Sequence, residues 1–463
     1  GFGTSGARGL VAQMTPEVCY AYAAAFWAAV GTGTRVVIGH DLRPSSPAMA
    51  AACAAALADL GIEVIYAGVL PTPALAAFGR TLALPVLVVT GSHIPFDRNG
   101  LKFYSAGGEI SKADEQAMMQ AVVRVPDQVV AAPLAAADPR AEAAYLARYL
   151  DFFGHGSLAG MRVAVYEHSS AGRDVLRAIL TALGAEVLPL GRTDTFVPID
   201  TEAVGADDVE RGVRWAAEHR FDAIVSTDGD ADRPLIGDEQ GAWFRGDMVG
   251  LLCAQFLRAD VVVTPVSSNT AVAKCGAFSQ VLLTRIGSPY VIAGMEQAQA
   301  GLGGIVVGYE ANGGFLLGSD IHRDGKRLAA LPTRDAVLPM LALLSMARQR
   351  GCRLSELAKG LPARFTFSDR LQEFPSSASV ALLAALQADH AAIAALMAPK
   401  SGAVASADTT DGLRVAFANG DIVHLRPSGN APELRCYAEA DDAATAARLC
   451  QECLARVRAQ SNR

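Results

Sequence analysis

Residues 222–238 read DAIVSTDGDADRPLIGD: an apolar run, a turn carrying Asp228, Asp230 and Asp232, and an apolar return. The β-branched and apolar residues of DAIVS predict a buried strand, and PLIG after Arg233 predicts another. Just upstream, MRVAVYE (161–167) reads as a strand, GRDVLRAILTALG (172–184) as a helix and AEVLPLG (185–191) as a further strand. The same rhythm recurs on either side. Before it come RVVIG (35–39), the loop HDLRPSSPAM (40–49) with an alanine-rich helix, IEVIYAG (62–68) and PVLVVTG (85–91). After it come DVVVTPV (260–266), a helix near Thr270, SQVLLTRIG (279–287) and GGIVVGYEANGGFLLG (303–318). Buried strands alternating with helices predict three α/β domains with mixed sheets, a class that places ligands in loops at strand ends.

The last hundred residues differ. GLRVAF (412–417), Asn419-Gly420 and DIVHL (421–425) predict a hairpin, ELRCYAEA (433–440) a further strand, and a helix closes the chain from about Asp441. This is a smaller α+β module. The expected domains are residues 1–132, 133–238, 239–362 and 363–463.

The bulk numbers exclude several classes. At 463 residues the chain exceeds what one core holds. Half of it is apolar and a fifth charged, as in an ordinary soluble protein. A net charge of −7 argues against nucleic acid as a partner, so positive charge for an anionic substrate must be concentrated locally. VCYAYAAAFWAAVG (18–31) is too short to cross a bilayer and, opened by Thr15-Pro16-Glu17, predicts a buried helix, so no membrane association is expected. Of eight cysteines only Cys450 and Cys453 are close, in an amphipathic helical stretch with no further zinc ligand nearby. Core packing in a reducing, cytoplasmic compartment is the expectation. No secretory signal is read, although the chain begins at Gly1 rather than methionine, which leaves room for residues upstream.

Five segments bear chemistry. In DGDADRP (228–234), three carboxylates at alternate positions repel one another unless a cation neutralises them; if the segment is extended they share one face. Carboxylate oxygens suit Mg²⁺ far better than zinc, and Arg233 adds a positive group for a phosphate. TGSHIPFDRNGLKFY (90–104) puts Ser92 on a loop at a strand end, with His93 beside it and Lys102 ten residues on. A serine nucleophile needs a base, a metal or a charge sink; by itself Gly-Ser-His equally fits a structural loop. RPSGNAPELR (426–435) gathers Arg426, Ser428, Gly429, Asn430 and Arg435 into a cradle fit for a phosphate dianion, or into an arginine-rich surface turn. GYEANGG (308–314) offers Glu310 and Asn312 for sugar hydroxyls, or is a plain glycine-rich turn. FGTSGARG (2–9) carries Arg8 on a glycine-rich loop that could equally be a flexible terminus.

Together and in this order, the five segments resemble those of the α-D-phosphohexomutase superfamily, over essentially the whole chain. The resemblance implies three related α/β domains and a smaller C-terminal domain around one cleft. It implies that Ser92 is phosphorylated and donates its phosphoryl group. Asp228, Asp230 and Asp232 would then hold Mg²⁺ together with a phosphoserine oxygen, with Arg8 and Lys102 near the reacting phosphate. Glu310 and Asn312 would read the sugar, and Arg426, Ser428, Gly429, Asn430 and Arg435 the substrate's non-reacting phosphate. TRIGSPY (284–290) resembles a further substrate loop, with Arg285 in the basic position. The implied reaction interconverts hexose 6-phosphate and hexose 1-phosphate through a sugar 1,6-bisphosphate. The expected enzyme acts on mannose phosphates; glucose phosphate or dual specificity comes next, then glucosamine phosphate. A phosphatase and a non-catalytic sugar-phosphate sensor are the readings from other classes. The expected assembly is a monomer or homodimer. Two loops depart from the family pattern: Ile94 stands where asparagine is common, and the sugar loop has Asn312 and Gly314 where Ser and His are common. The missing histidine leaves His93, Lys102 and Arg8 as candidates for proton transfer.

Overall fold

The computed structural model describes residue 2, residues 6–428 and residues 432–461, with only the backbone of His390. Three mixed sheets share one plan. In the first, strands Arg35–His40, Glu63–Val69 and Val86–Val89 are parallel, the earliest lying between the other two. Arg98–Ser105 then pairs antiparallel with Val86–Val89. The second sheet repeats this with Arg162–Tyr166 between Glu186–Leu190 and Ala223–Thr227, and Pro234–Gly237 antiparallel beside the last. The third has Val261–Pro265 between Gln280–Thr284 and Val306–Tyr309, with Phe315–Leu317 antiparallel. Every residue of Val86–Val89, Ala223–Thr227 and Val306–Tyr309 is buried, which is why these strands read as unbroken apolar runs.

The shared plan fixes where chemistry can sit. In each sheet the chain leaves the third parallel strand, turns at its C-terminal end and returns antiparallel. The turns are residues 90–97, 228–233 and 310–314, the segments that hold Ser92, the three aspartates and Glu310. One hydrophobic core runs through all three sheets, from Val37 to Leu357, and Val337–Arg350 is buried along most of its length within it. The three turns therefore hang from a continuous packed body.

The C-terminal sheet is wholly antiparallel, in the order Phe365–Leu371, Leu434–Ala440, Ile422–Pro427, Leu413–Phe417, Val404–Asp408. Asn419-Gly420 makes the expected hairpin, the Gly420 amide donating to Phe417 O at 2.9 Å. Leu434, Cys436 and Ala438 pack on Leu449, Cys450, Cys453 and Val457 of the closing helix Ala443–Ser461, so Cys450 and Cys453 are core residues. All eight cysteines are free.

Several elements differ from the expectation. Ala7–Leu10 is a strand paired with Arg98–Ser105, so Arg8 sits on a sheet edge instead of a glycine-rich loop, and Lys102 on a strand. The helix near Thr270 is a single turn, Ala271–Lys274. Pro16–Val30 is the expected buried helix, Val18 N donating to the Thr15 cap at 3.4 Å. Among the described residues no helix is long and apolar enough to cross a membrane.

His168, wholly buried behind the acidic turn, donates from Nε2 to Thr227 O at 2.9 Å. Burial is the main cause that lowers its pKa to about 4. Because the unfolded chain binds this proton near pH 6.5 and the native one does not, stability is full above that pH and falls as the pH drops toward 4, by about 2 kcal/mol at pH 5. Urea unfolding at pH 7 and pH 5 should show a smaller acid loss in His168→Asn than in the wild type; an equal loss contradicts this role.

Candidate active site

The Ser92 turn is fixed from beneath by Arg43. This buried guanidinium donates to the carbonyls of Ser92 (3.0 Å), Ile94 (2.6 Å), Pro95 (2.8 Å) and Arg98 (2.8 Å), pairs with Asp41 at 3.3 Å and lies 3.9 Å from the centre of the Phe196 ring. A Cβ on Gly91 would fall 2.5 Å from Arg43 Cζ, so position 91 has no room for a side chain. Thr90 Oγ1 donates to Asp41 at 2.8 Å and accepts from Ser92 N at 2.8 Å. These bonds hold Ser92 at φ +51°, a conformation strained for a non-glycine residue. The loop is held by its backbone, which is how it accommodates Ile94.

Ser92 is fully buried, and its Oγ donates to Asp228 Oδ2 at 2.6 Å, across from one sheet to the next. Asp228, Asp230 and Asp232 are buried and present oxygens within 4.8 Å of one another. An extended segment is not what brings them together. Residues 228–233 form a tight turn with Ala231 at φ +56°, and Asp228 Oδ1 accepts from the amides of Asp232 and Arg233 at 3.2 Å each. Lys102 Nζ bridges Asp230 Oδ2 (2.6 Å) and Asp232 Oδ2 (2.5 Å), while Thr72 Oγ1 donates to Asp230 Oδ2 at 2.5 Å. Asp230 Oδ1 and Asp232 Oδ1 remain buried without a hydrogen-bond partner, which fits a hard divalent cation approached by both. Burial, then its two aspartate neighbours, pushes Asp228 well up. Burial acts the same way on Asp232 but is overcome by Arg334, Lys102 and Arg233, which hold it well below the carboxylate range.

Cations ring the same spot. Arg8 lies opposite Gly100 in the edge pairing; burial, then Arg233 and Arg334, lowers its pKa to about 10, so it stays charged near neutrality. Arg233 Nη1 donates to His93 Nδ1 at 2.9 Å. His93 therefore accepts at Nδ1, and burial followed by Arg233, Arg8 and Arg435 holds its pKa well below the usual histidine value. It is a neutral partner of Arg233 near pH 7.

The sugar-loop residues Glu310 and Asn312 are both buried. Asn312 Oδ1 accepts from Gly314 N at 2.9 Å and shapes the turn. Arg334 reaches in from the strand Leu331–Asp335, donating to Asp232 Oδ2 (Nε, 3.0 Å) and Glu310 Oε2 (Nη1, 3.2 Å). A Cβ on Gly314 would stand 2.7 Å from Arg334 Cδ, so this arginine fills the room a side chain at 314 would need. At the C-terminal sheet, Arg426 pairs with Asp411 Oδ2 at 3.0 Å, and the same oxygen accepts from Ile286 N at 2.9 Å. Ser428 N donates to Glu433 O at 2.8 Å and Arg435 approaches Glu433 at 3.8 Å. Gly429 and Asn430 lie outside the described residues. Arg285 is exposed, over the Tyr290 ring at 5.8 Å, and forms no ion pair among the described residues.

Comparison with known proteins reads the same segments. Residues 1–127, 245–365 and 376–456 match the models of phosphoglucomutase/phosphomannomutase alpha/beta/alpha domain I, alpha/beta/alpha domain III and C-terminal domain. A phosphomannomutase of Salmonella muenchen is 47% identical, covering 100% of this chain and 96% of the relative. The chain belongs to the phosphoglucomutase/phosphomannomutase family. One from Sinorhizobium fredii (strain NBRC 101917 / NGR234) is 45% identical over 98% of both. In fold, the chain is similar to a phosphoglucomutase/phosphomannomutase family protein from Burkholderia thailandensis (TM-score 0.76, 20% identity, covering 99% and 97%).

As in the sequence expectation for the family, Ser92, Lys102, Arg233 and the three aspartates meet at one place. Sequence reading missed Arg43, Thr72 and Arg334. Arg43 stood in plain view in HDLRPSS after a strand, but Arg334 and Thr72 gave no local signal, since the aspartates they hold are over a hundred residues away.

Two outcomes test this geometry. Asp230→Asn should weaken Mg²⁺ binding, read by calorimetry, about tenfold or more; unchanged affinity contradicts the metal reading. Gly314→Ala should destabilise the protein by roughly 1–3 kcal/mol, and by clearly less in an Arg334→Ala background; additive losses contradict the shared space.

Proposed function

We propose that the chain is a phosphomannomutase that interconverts mannose 6-phosphate and mannose 1-phosphate through a phosphorylated Ser92. The observation that carries the reading is the 2.6 Å bond from Ser92 Oγ to Asp228, which joins a serine hydroxyl to a cluster fit for a divalent ion. The kinship with two phosphomannomutases at 45–47% identity supports mannose phosphates as the substrate. The eight free cysteines support a reducing, cytoplasmic setting.

Asp228, Asp230 and Asp232 would hold Mg²⁺. When bound, the ion supplies positive charge where phosphoryl oxygens gather negative charge. The chain's own groups do the rest. Arg8, Lys102 and Arg233 stand around the serine to stabilise the transferring phosphoryl group. The P–Oγ bond to Ser92 breaks as a bond from phosphorus to the sugar hydroxyl oxygen forms; the hydroxyl gives up its proton and Ser92 Oγ takes one up, so the serine hydroxyl is restored. The resulting bisphosphate turns over, and its other phosphate returns to Ser92. Glu310 and Asn312 orient the sugar, with Arg334 holding Glu310 in place. Arg426, Ser428, Gly429, Asn430 and Arg435 grip whichever phosphate is not reacting, with Arg285 at the rim. His93, bonded to Arg233, acts as a positioning residue for that cation. Each of the four proposed domains contributes one turn or loop to this cleft.

The test is a coupled assay with mannose, glucose and glucosamine 1-phosphates, primed with bisphosphate. Mannose 1-phosphate should give the highest kcat/KM, and Ser92→Ala should lose at least about 10³-fold in kcat while retaining sugar-phosphate binding. Turnover unchanged by Ser92→Ala refutes the nucleophile, and a preference for glucosamine 1-phosphate refutes the substrate.

A further inference from the structure

We infer that Arg370 is a third arginine of the phosphate cradle, gripping the non-reacting phosphate of the hexose phosphate beside Arg435 and Arg426; this rests on the function proposed above. The register of the C-terminal sheet makes the case. Arg370 lies directly opposite Arg435, and Arg435 directly opposite Arg426. Residues directly opposite share a face, so three guanidinium side chains stand in one rung, with roughly 5 Å between neighbouring strands.

That face looks into the molecule. The other face carries Leu434, Cys436 and Leu425 under the C-terminal helices. Along the strand of Arg370, alternate residues meet the start of the helix Gly246–Leu257: Thr366 Oγ1 donates to Asp247 at 3.1 Å, and Ser368 Oγ accepts from Arg245 at 3.5 Å. Arg370 continues this row and approaches Asp200 at 3.9 Å.

Three like charges in one rung repel, and of the acids near them, Asp200, Glu202, Asp411 and Glu433, most stand at long range. Asp411 takes Arg426 at 3.0 Å, but Glu433 is shared by Arg370 at 3.7 Å and Arg435 at 3.8 Å, both beyond hydrogen-bond length. The Nε of Arg435 is buried without a hydrogen-bond partner, whereas that of Arg426 faces Asp411 Oδ2 at 3.0 Å. A rung of cations left short of acceptors is completed by an anion with several oxygens, and a phosphate monoester offers three. Arg370, with 39% of its side chain exposed, has the freedom to follow the phosphate as the sugar binds in either orientation.

The experiment measures KM and kcat for mannose 1-phosphate and mannose 6-phosphate in Arg370→Gln, Arg370→Lys, Asp200→Asn and Arg426→Gln, with Mg²⁺ affinity followed in each. Arg370→Gln should raise KM about tenfold for both substrates and leave kcat within about threefold, as expected for a lost charge-assisted bond. Arg370→Lys should recover part of the loss, and stands in should the glutamine variant not fold. Asp200→Asn should leave KM unchanged or lower it. A normal KM in Arg370→Gln beside a raised KM in Arg426→Gln overturns the inference alone; normal values in both overturn the cradle reading. A rise in Asp200→Asn equal to that in Arg370→Gln makes the arginine an inter-sheet tie and also overturns it.

Discussion

The hydrogen bond between Ser92 and Asp228 joins two turns that belong to different sheets, and most of the site's architecture serves to keep them together. A serine at φ +51° is held there only because Arg43 grips four carbonyls of its loop and Thr90 and Asp41 fix the amide. On the other side, Asp228 is held by amides of its own turn, and Thr72, from the first sheet's body, fastens Asp230 by both its amide and its hydroxyl. The acidic turn is thus tied to the start of the helix Thr72–Leu82 through backbone, and to the Ser92 turn through side chains. Such overdetermination is what lets a strained, buried serine persist.

Charge is the second constraint. Asp228, Asp230, Asp232 and Glu310 are four acids; Lys102, Arg8, Arg233 and Arg334 are four bases packed among them. With all four acids ionised the cluster is balanced, and the upward push on Asp228 marks where a cation is most wanted. A phosphoserine close to −2 and a divalent cation at +2 would preserve that balance only if both are present. Phosphorylation and metal binding are therefore coupled by the electrostatics of a buried site, where an uncompensated charge is costly. Arg334 matters here in a second way. By occupying the space over Gly314 it lets the sugar loop dispense with a side chain at that position while still holding Glu310.

Much of this was legible in the sequence, for reasons that are local. Fully buried strands announced themselves as apolar runs, and the acidic turn, serine loop and arginine cradle each sit at a strand end, where side-chain chemistry interrupts the pattern. What was hidden is long-range. Ala7–Leu10 looked like a glycine-rich terminus because its strand character comes from pairing with residues 98–101, not from its own composition. The aspartates were expected to converge along an extended segment, whereas a turn with Ala231 in the left-handed region brings them together. Arg334 and Arg370 drew no reading from the sequence, since what distinguishes them is a partner or a register that only the fold defines.

The central claim is that one divalent ion and the phosphorylated Ser92 share the aspartate turn. Pulsed electron–nuclear double resonance on the Mn²⁺-loaded phosphoenzyme reads this directly. A strong ³¹P hyperfine coupling to the manganese, lost when the protein is dephosphorylated, is the result this account predicts. Tightly bound Mn²⁺ with no ³¹P coupling, in protein shown to carry phosphate on Ser92, would contradict it.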